Sequence, residues 1–240
     1  MRRSRGVTLV EVLITVTIIA LLSGVTILGI GVTSGARLKR SATMVVGAIR
    51  IAYAHANATS KPVRLVFDFE NRLIILEEAT GQLQLVKHDK TGGAEAATEA
   101  EKAAQEEAEA IVKGPRAPRP AFKPAKAFGF DPGSSDTGIS GEEKPGKEFS
   151  KGIRFHSVET THTDEPELAD HAYLYFWPGG QTERAAIVLT KGDGDNDVDS
   201  DFMTILVSPL TGKAELKGGK QALVRPRDES EESEREDTGF

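Results

Sequence analysis

The chain has 240 residues, with 30 basic and 36 acidic side chains, 39% apolar residues and no cysteine. That suits one globular domain with appendages and excludes thiolate metal sites, iron–sulfur clusters, cysteine nucleophiles and a disulfide-built scaffold. The net charge of -6 argues against a surface that coats nucleic acid, and no nucleic-acid partner is expected.

Residues 7–30 read VTLVEVLITVTIIALLSGVTILGI, in which 16 of 24 positions are Val, Leu, Ile or Ala and the only charged residue is Glu11. A 24-residue helix is about 36 Å long and would cross a hydrocarbon core of about 30 Å, so a transmembrane helix is expected here. An acid at such a depth costs about 2.5–3.5 kcal/mol unless it finds a cation or the interface. Arg2, Arg3 and Arg5 form a positive head before the run, but Arg37, Lys39 and Arg40 follow it. Basic residues alone therefore leave the orientation tied. The run is longer than the apolar part of an ordinary secretory signal, although Ser34-Gly35-Ala36 offers small residues at which such a signal could be cut.

The helix is expected to continue to about Thr59, because Leu38, Ala42, Val45, Ile49, Ala52 and Ala56 recur at three- and four-residue spacing as a single apolar stripe. Pro62 closes it. VRLVFDF, RLIILEE and QLQLVK then read as three short strands over residues 61–87. Residues 88–151 are expected to be an insertion loop, largely disordered: residues 94–113 hold eight Ala and six Glu, which favours a short solvated helix, and residues 115–126 hold four Pro and four basic side chains, which favours coil. A second strand group is expected over 152–224 from GIRFHSV, AYLYFW, AAIVLT, FMTILVS and KAELK. Residues 225–240, with seven acids, three bases and no aliphatic side chain, read as a disordered acidic tail. The expected fold class is α+β, a long amino-terminal helix packed on antiparallel β-sheets.

The segment RGVTLVEVLITVTIIALL resembles the class III signal of type IV prepilins and type II secretion pseudopilins, with a short basic leader ending in Gly and Glu as the fifth residue after the cut. The resemblance implies cleavage between Gly6 and Val7 by a prepilin peptidase that then methylates the Val7 amine, and an assembly role for Glu11, pairing with the amine of a neighbouring subunit. Val7 departs from the Phe most common at that place. It implies a leader over residues 1–6, a span over 7–30 and a periplasmic half of the spine helix over 31–60. The localisation implied is a single-pass protein of the bacterial inner membrane, amino terminus cytoplasmic and globular domain periplasmic.

AYLYFWPGGQTERAAIVLT and FMTILVSPLTGKAEL are similar to segments of H-type minor pseudopilins and of the related T-type minor pilins. This implies a structural subunit at the tip of a type II secretion pseudopilus that helps drive folded proteins across the outer membrane. Its partners would be other minor and major pseudopilins, the peptidase/methyltransferase, the inner-membrane secretion platform and membrane lipid. Two other readings stay open: a type IV pilus minor pilin, and an exported calcium-binding module cut near Ala36.

Asp193, Asp195, Asp197 and Asp199 alternate in KGDGDNDVDSD, and calcium is the ion such a loop would hold. An EF-hand counted from Asp193 would need Gly and Glu where Val198 and Thr204 stand. A solvated hairpin tip is the simpler reading. His55, His88, His156, His162 and His171 show no metal-ligand spacing, and no nucleophile, phosphate or dinucleotide motif is present. No enzymatic activity and no other cofactor are expected.

Overall fold

The computed structural model describes residues 8–111, 119–127, 146–192 and 198–225, apart from the side chains of 21–33 and 108–111. Helix α1 runs over Leu9–Thr59 and α2 over Glu99–Ile111. The strands are β1 Val63–Asp68, β2 Leu73–Ala79, β3 Phe122–Pro124, β4 Lys147–Glu148, β5 Ile153–Thr160, β6 His171–Trp177, β7 Gln181–Thr182, β8 Ala185–Lys191, β9 Phe202–Val207 and β10 Ala214–Gly218. They form two antiparallel sheets against α1, so the fold is α+β and pilin-like, as expected from the sequence.

At 51 residues, α1 is about 76 Å long. Its carboxy-terminal half carries the stripe read from the sequence: Leu38, Ala42, Val45, Ile49, Ala52 and Ala56 are all buried. Three of the six are Ala, and a side chain that short lets the sheets approach the helix axis closely. Ser60 ends the helix in the left-handed region at φ 55°, and Pro62 two residues later cannot continue it. Among the described residues no helix is long and apolar enough to cross a membrane. Of the expected span 7–30, residue 7 and the side chains of 21–30 lie outside the described ones.

The first sheet has the order β3-β2-β1-β6-β7, with β4 also on β2; the second has the order β10-β9-β8-β5. Both lean on α1 with alternate residues. On β1, Leu65 and Phe67 face the helix, and on β6 Ala172, Leu174 and Phe176 do so. The second sheet adds Ile153, Phe155, Ala185, Ile187, Leu189, Ile205 and Val207 to the same core.

Two turns bind both sheets to the helix through Tyr53. In the β6–β7 turn, a Cβ on Gly180 would lie 2.6 Å from the Tyr53 hydroxyl. In the β9–β10 turn, a Cβ on Gly212 would lie 2.4 Å from Tyr53 Cδ2. Both glycines have positive φ, so both the conformation and the close approach call for glycine. Asn57, one helical turn beyond Tyr53, accepts from Gly179 N at 3.0 Å and donates to Tyr53 O at 3.0 Å.

Two expectations need correction. Residues 82–87 form no strand, because the outer edge of β2 is taken by β3 and β4 from the insertion. The chain after β2 instead crosses the outer face of the first sheet, where Leu83 is buried and its carbonyl accepts from Trp177 Nε1 at 3.3 Å. The described parts of residues 88–151 are likewise packed rather than loose. They supply β3, β4 and α2 and bury Thr91, Ala94, Glu101, Ala125 and Phe149. Residues 112–118, 128–145 and 226–240 lie outside the described ones.

The insertion therefore covers the outer face of the first sheet, where Val66, Tyr173 and Tyr175 form a second small core with Leu83 and Ala94. Arg64 is buried there, with Nε 2.8 Å from Glu77 Oε2 and its guanidinium 4.3 Å from the ring centres of both Phe122 and Tyr173. Burial holds the Tyr173 and Tyr175 hydroxyls well above the ordinary tyrosine range, the neighbouring Arg64 charge offsetting only part of it.

Candidate assembly site at the head of the spine helix

Helix α1 begins with a local device that the sequence TLVE specifies. Thr8 is the N-cap, at φ -81° and ψ 152°. Its Oγ1 accepts from Glu11 N at 3.3 Å, and its carbonyl accepts from Glu11 N at 3.1 Å and Val12 N at 3.2 Å. Thr at the N-cap with Glu three residues on is the spacing of a capping box. Glu11 is the acid of the first turn, where the positive end of the helix dipole favours a carboxylate.

Over residues 9–20 Glu11 is the one charged side chain. Leu9, Val10, Val12, Leu13, Ile14, Val16, Ile18 and Ile19 are each at least half exposed, Leu9 to 81%. Thr15 and Thr17 turn their hydroxyls back onto the carbonyls of Val12 and Leu13, at 2.9 and 2.7 Å, so they offer little polarity to the surroundings. A cylinder apolar on all sides finds its partners outside the chain, in lipid or in other helices. Gly6 and Val7, the expected cleavage pair, lie outside the described residues.

The other sequence candidates do not gather at this site. Asp193, Asp195 and Asp197 lie outside the described residues; Asp199 opens an exposed 3₁₀ turn over Asp199–Asp201. No cluster of three or more His, Asp or Glu that could hold a metal occurs among the described residues.

The histidines are dispersed. His55 Nε2 lies 3.2 Å from Glu78 Oε2, His88 Nδ1 2.5 Å from Asp164, and His171 Nδ1 2.6 Å from Asp170. His162 Nδ1 lies 2.6 Å from Glu183 Oε2, both residues being buried. Glu183 also accepts from Tyr175 N at 3.1 Å. It thus fills the place that a neighbouring strand's carbonyl would take on the edge of β6. Nothing in spacing announced this pair or the burial of Glu101, since both acids stand in polar stretches that read as surface.

Residues 1–27 match the family model described as the prokaryotic N-terminal methylation motif. No curated protein and no solved structure matches the chain. The motif implies processing by a prepilin peptidase, a membrane-anchored amino terminus and assembly with other pilins. With the helix-and-two-sheet fold behind it, the match over residues 1–27 supports a type IV pilin-like protein.

Proposed function

We propose that this chain is a minor pseudopilin of H type, a structural subunit of the type II secretion pseudopilus that assembles at its tip. Residues 7–30 anchor it in the inner membrane, with the leader cytoplasmic and the β-rich domain periplasmic. The leader is removed between Gly6 and Val7 and the new amine is methylated. The helix then joins the bundle of other minor and major pseudopilins, with the Glu11 carboxylate paired to a neighbour's amine. Cytoplasmic energy extends the filament, and the subunit contributes assembly contacts rather than chemistry.

One observation carries the reading: a single carboxylate in the first turn of a helix that exposes eight large apolar side chains. A surface of that kind is stable only among lipids or other helices, and the lone acid then selects partners that bring a cation. The two glycine turns on Tyr53 support the H-type assignment, since they fall in the segments similar to H-type subunits.

Mass spectrometry of the mature amino terminus tests it. A methylated Val7 is expected, whereas a chain starting at Arg37 would make this an exported module. Glu11→Leu should leave processing intact and reduce incorporation into filaments at least about tenfold. Equal incorporation removes the pairing. Neighbouring genes for pilus rather than secretion components would transfer the subunit to a type IV pilus.

A further inference from the structure

Three cations stand where α1 first meets the sheets. Arg37, Lys39 and Arg40 are exposed, whereas Leu38 between them is the first buried residue of the helix among the described ones. Gly35 lies one turn earlier on the face of Leu38, and a Cβ there would meet nothing within 4 Å. The described part of the sheets therefore ends at the level of Arg37. At that level the domain contributes Lys151, in the turn before β5: its carbonyl accepts from Arg37 Nη1 at 3.4 Å, and the residue is exposed. Gly152 beside it accepts from Gly192 N at 2.9 Å, and a Cβ on either glycine would meet nothing within 4 Å.

These cations are not neutralised by the protein. Lys191, at the same end of the second sheet, is paired with Asp201 at 2.7 Å. Among the described residues no such pair is formed by Arg37, Lys39, Arg40 or Lys151.

Their placement suits a plane. At about 100° per residue, Arg37 and Lys39 flank Leu38 on opposite sides and Arg40 stands on the back of the helix. All three fall within about 4.5 Å of rise. The charge thus rings the helix axis instead of running along it. Thr43 and Gly47, the next positions on the exposed side after Arg40, are uncharged, and Arg50 stands about 15 Å further on. A partner helix lying along α1 would meet one or two of these charges, whereas a surface perpendicular to α1 meets all of them.

Residues 31–36 carry no charge, and Arg37 is about 10 Å of rise beyond Ile30. A headgroup layer adds about 5–7 Å to each side of the hydrocarbon, and long side chains on a helix lie back over the turn before their own Cα, about 5 Å. The Arg37 guanidinium therefore reaches the headgroups. Lys39 and Arg40 follow within a Debye length, about 10 Å at about 0.1 M salt.

We propose that Arg37, Lys39, Arg40 and Lys151 form a cationic collar that binds the anionic phosphate headgroups of the leaflet on the domain's side and seats the sheet domain on the membrane surface. This rests on the membrane placement of residues 7–30 and adds to it the lipid class that the domain selects. Asp193, Asp195 and Asp197 follow Gly192 in the sequence and lie outside the described residues, so the test uses the full chain, in which they are present.

The chain has no cysteine, so Ala36→Cys and Ile19→Cys each give one site for a fluorescent label. The full chain is placed in vesicles of phosphatidylcholine and phosphatidylglycerol. A nitroxide on the acyl chain of one lipid or the other, high for Ala36 and mid-chain for Ile19, quenches the label by proximity. At Ala36 phosphatidylglycerol should quench as though enriched at least about threefold over phosphatidylcholine. The preference should fall to parity when salt shortens the Debye length to about 3 Å, and likewise in a variant combining Arg37→Gln, Lys39→Gln and Arg40→Gln. Lys151→Gln alone should lower it in part. At Ile19 both lipids should quench. Equal quenching by the two lipids at Ala36, with Ile19 quenched, overturns the collar alone and leaves these cations to an acidic protein partner or to none. A preference that survives either the salt or the combined variant overturns it as well. No quenching at Ile19 overturns the membrane placement and the collar with it.

Discussion

Gly212→Ala examines the contact that joins the helix to the second sheet. Gly152, Gly180 and Gly212 all have positive φ, at 84°, 84° and 60°, so an Ala at any of them carries backbone strain of about 1–2 kcal/mol. They differ in surroundings. A Cβ on Gly152 would meet nothing within 4 Å, one on Gly180 would meet the outer end of Tyr53 at its hydroxyl, and one on Gly212 would meet Cδ2 at 2.4 Å, Cε2 at 2.8 Å and Cγ at 3.0 Å. The far end of the ring moves aside with a small tilt about χ1. The same tilt moves Cγ, next to Cβ, far less, and overpacking of that kind adds about 1–3 kcal/mol. Gly152→Ala should therefore cost about 1–2 kcal/mol and Gly212→Ala about 2–5 kcal/mol, with Gly180→Ala between them.

Urea unfolding of the full chain in detergent, followed by the fluorescence of its one tryptophan, reads the difference. In a Tyr53→Ala background the extra cost at Gly212 should vanish, leaving the strain alone. A Gly212→Ala variant no less stable than Gly152→Ala would refute the claim that this turn is seated on Tyr53.

Two further outcomes depend on pH. A hydrogen bond from Lys61, helped by His55, holds the Glu78 carboxyl below its ordinary 4.5 despite partial burial. Its stabilisation is then complete above that value and lost as pH falls through the depressed one, so the urea midpoint should fall below about pH 4.5 more steeply in the parent than in Glu78→Gln; parallel curves would refute it. Tyr173 and Tyr175 are raised above 10.0, chiefly by burial, so the stability they lend is complete below pH 10 and lost as pH rises beyond it. Their phenolate absorbance should appear together with alkaline unfolding, and titration with the fold intact would show that the insertion does not bury them.

Much of the fold could be read from residue order because the burial is one-sided. The stripe from Leu38 to Ala56 recurs at helical spacing, and each of its positions is buried. The outer face of the first sheet was not legible for the same reason. In VRLVFD the alternation assigns Arg64 to solvent, and only the insertion, distant in sequence, turns that position inward. Phe122-Lys123-Pro124 reads as coil because Pro lacks an N–H. It becomes a strand only as an edge beside β2, where Pro is tolerated. Glu101 was invisible as a buried group because the five other glutamates and eight alanines around it describe an exposed helix.

At the head of α1 the magnitudes bear on which cation can pair with Glu11. The helix dipole favours the Glu11 charge by about 0.3–1 kcal/mol, whereas placing a carboxylate among hydrocarbon costs about 2.5–3.5 kcal/mol. The first turn of its own helix therefore cannot stabilise this residue once the surrounding Leu, Ile and Val side chains are buried in lipid. Arg37, Lys39 and Arg40 stand more than six helical turns away along α1, at least about 39 Å by the helical rise, which excludes them as partners within one chain. Under the proposed function, the cation that remains is the amine created by cleavage at Val7. In the sequence that amine stands four residues before Glu11, and between chains the proposal has a neighbour displaced along the helix axis bring its own amine to Glu11. Under that proposal, stability in the membrane and register in the filament follow from one charge pair, and a chain that keeps its leader lacks the Val7 amine and has the arginines of the leader, Arg2, Arg3 and Arg5, as its nearest cations.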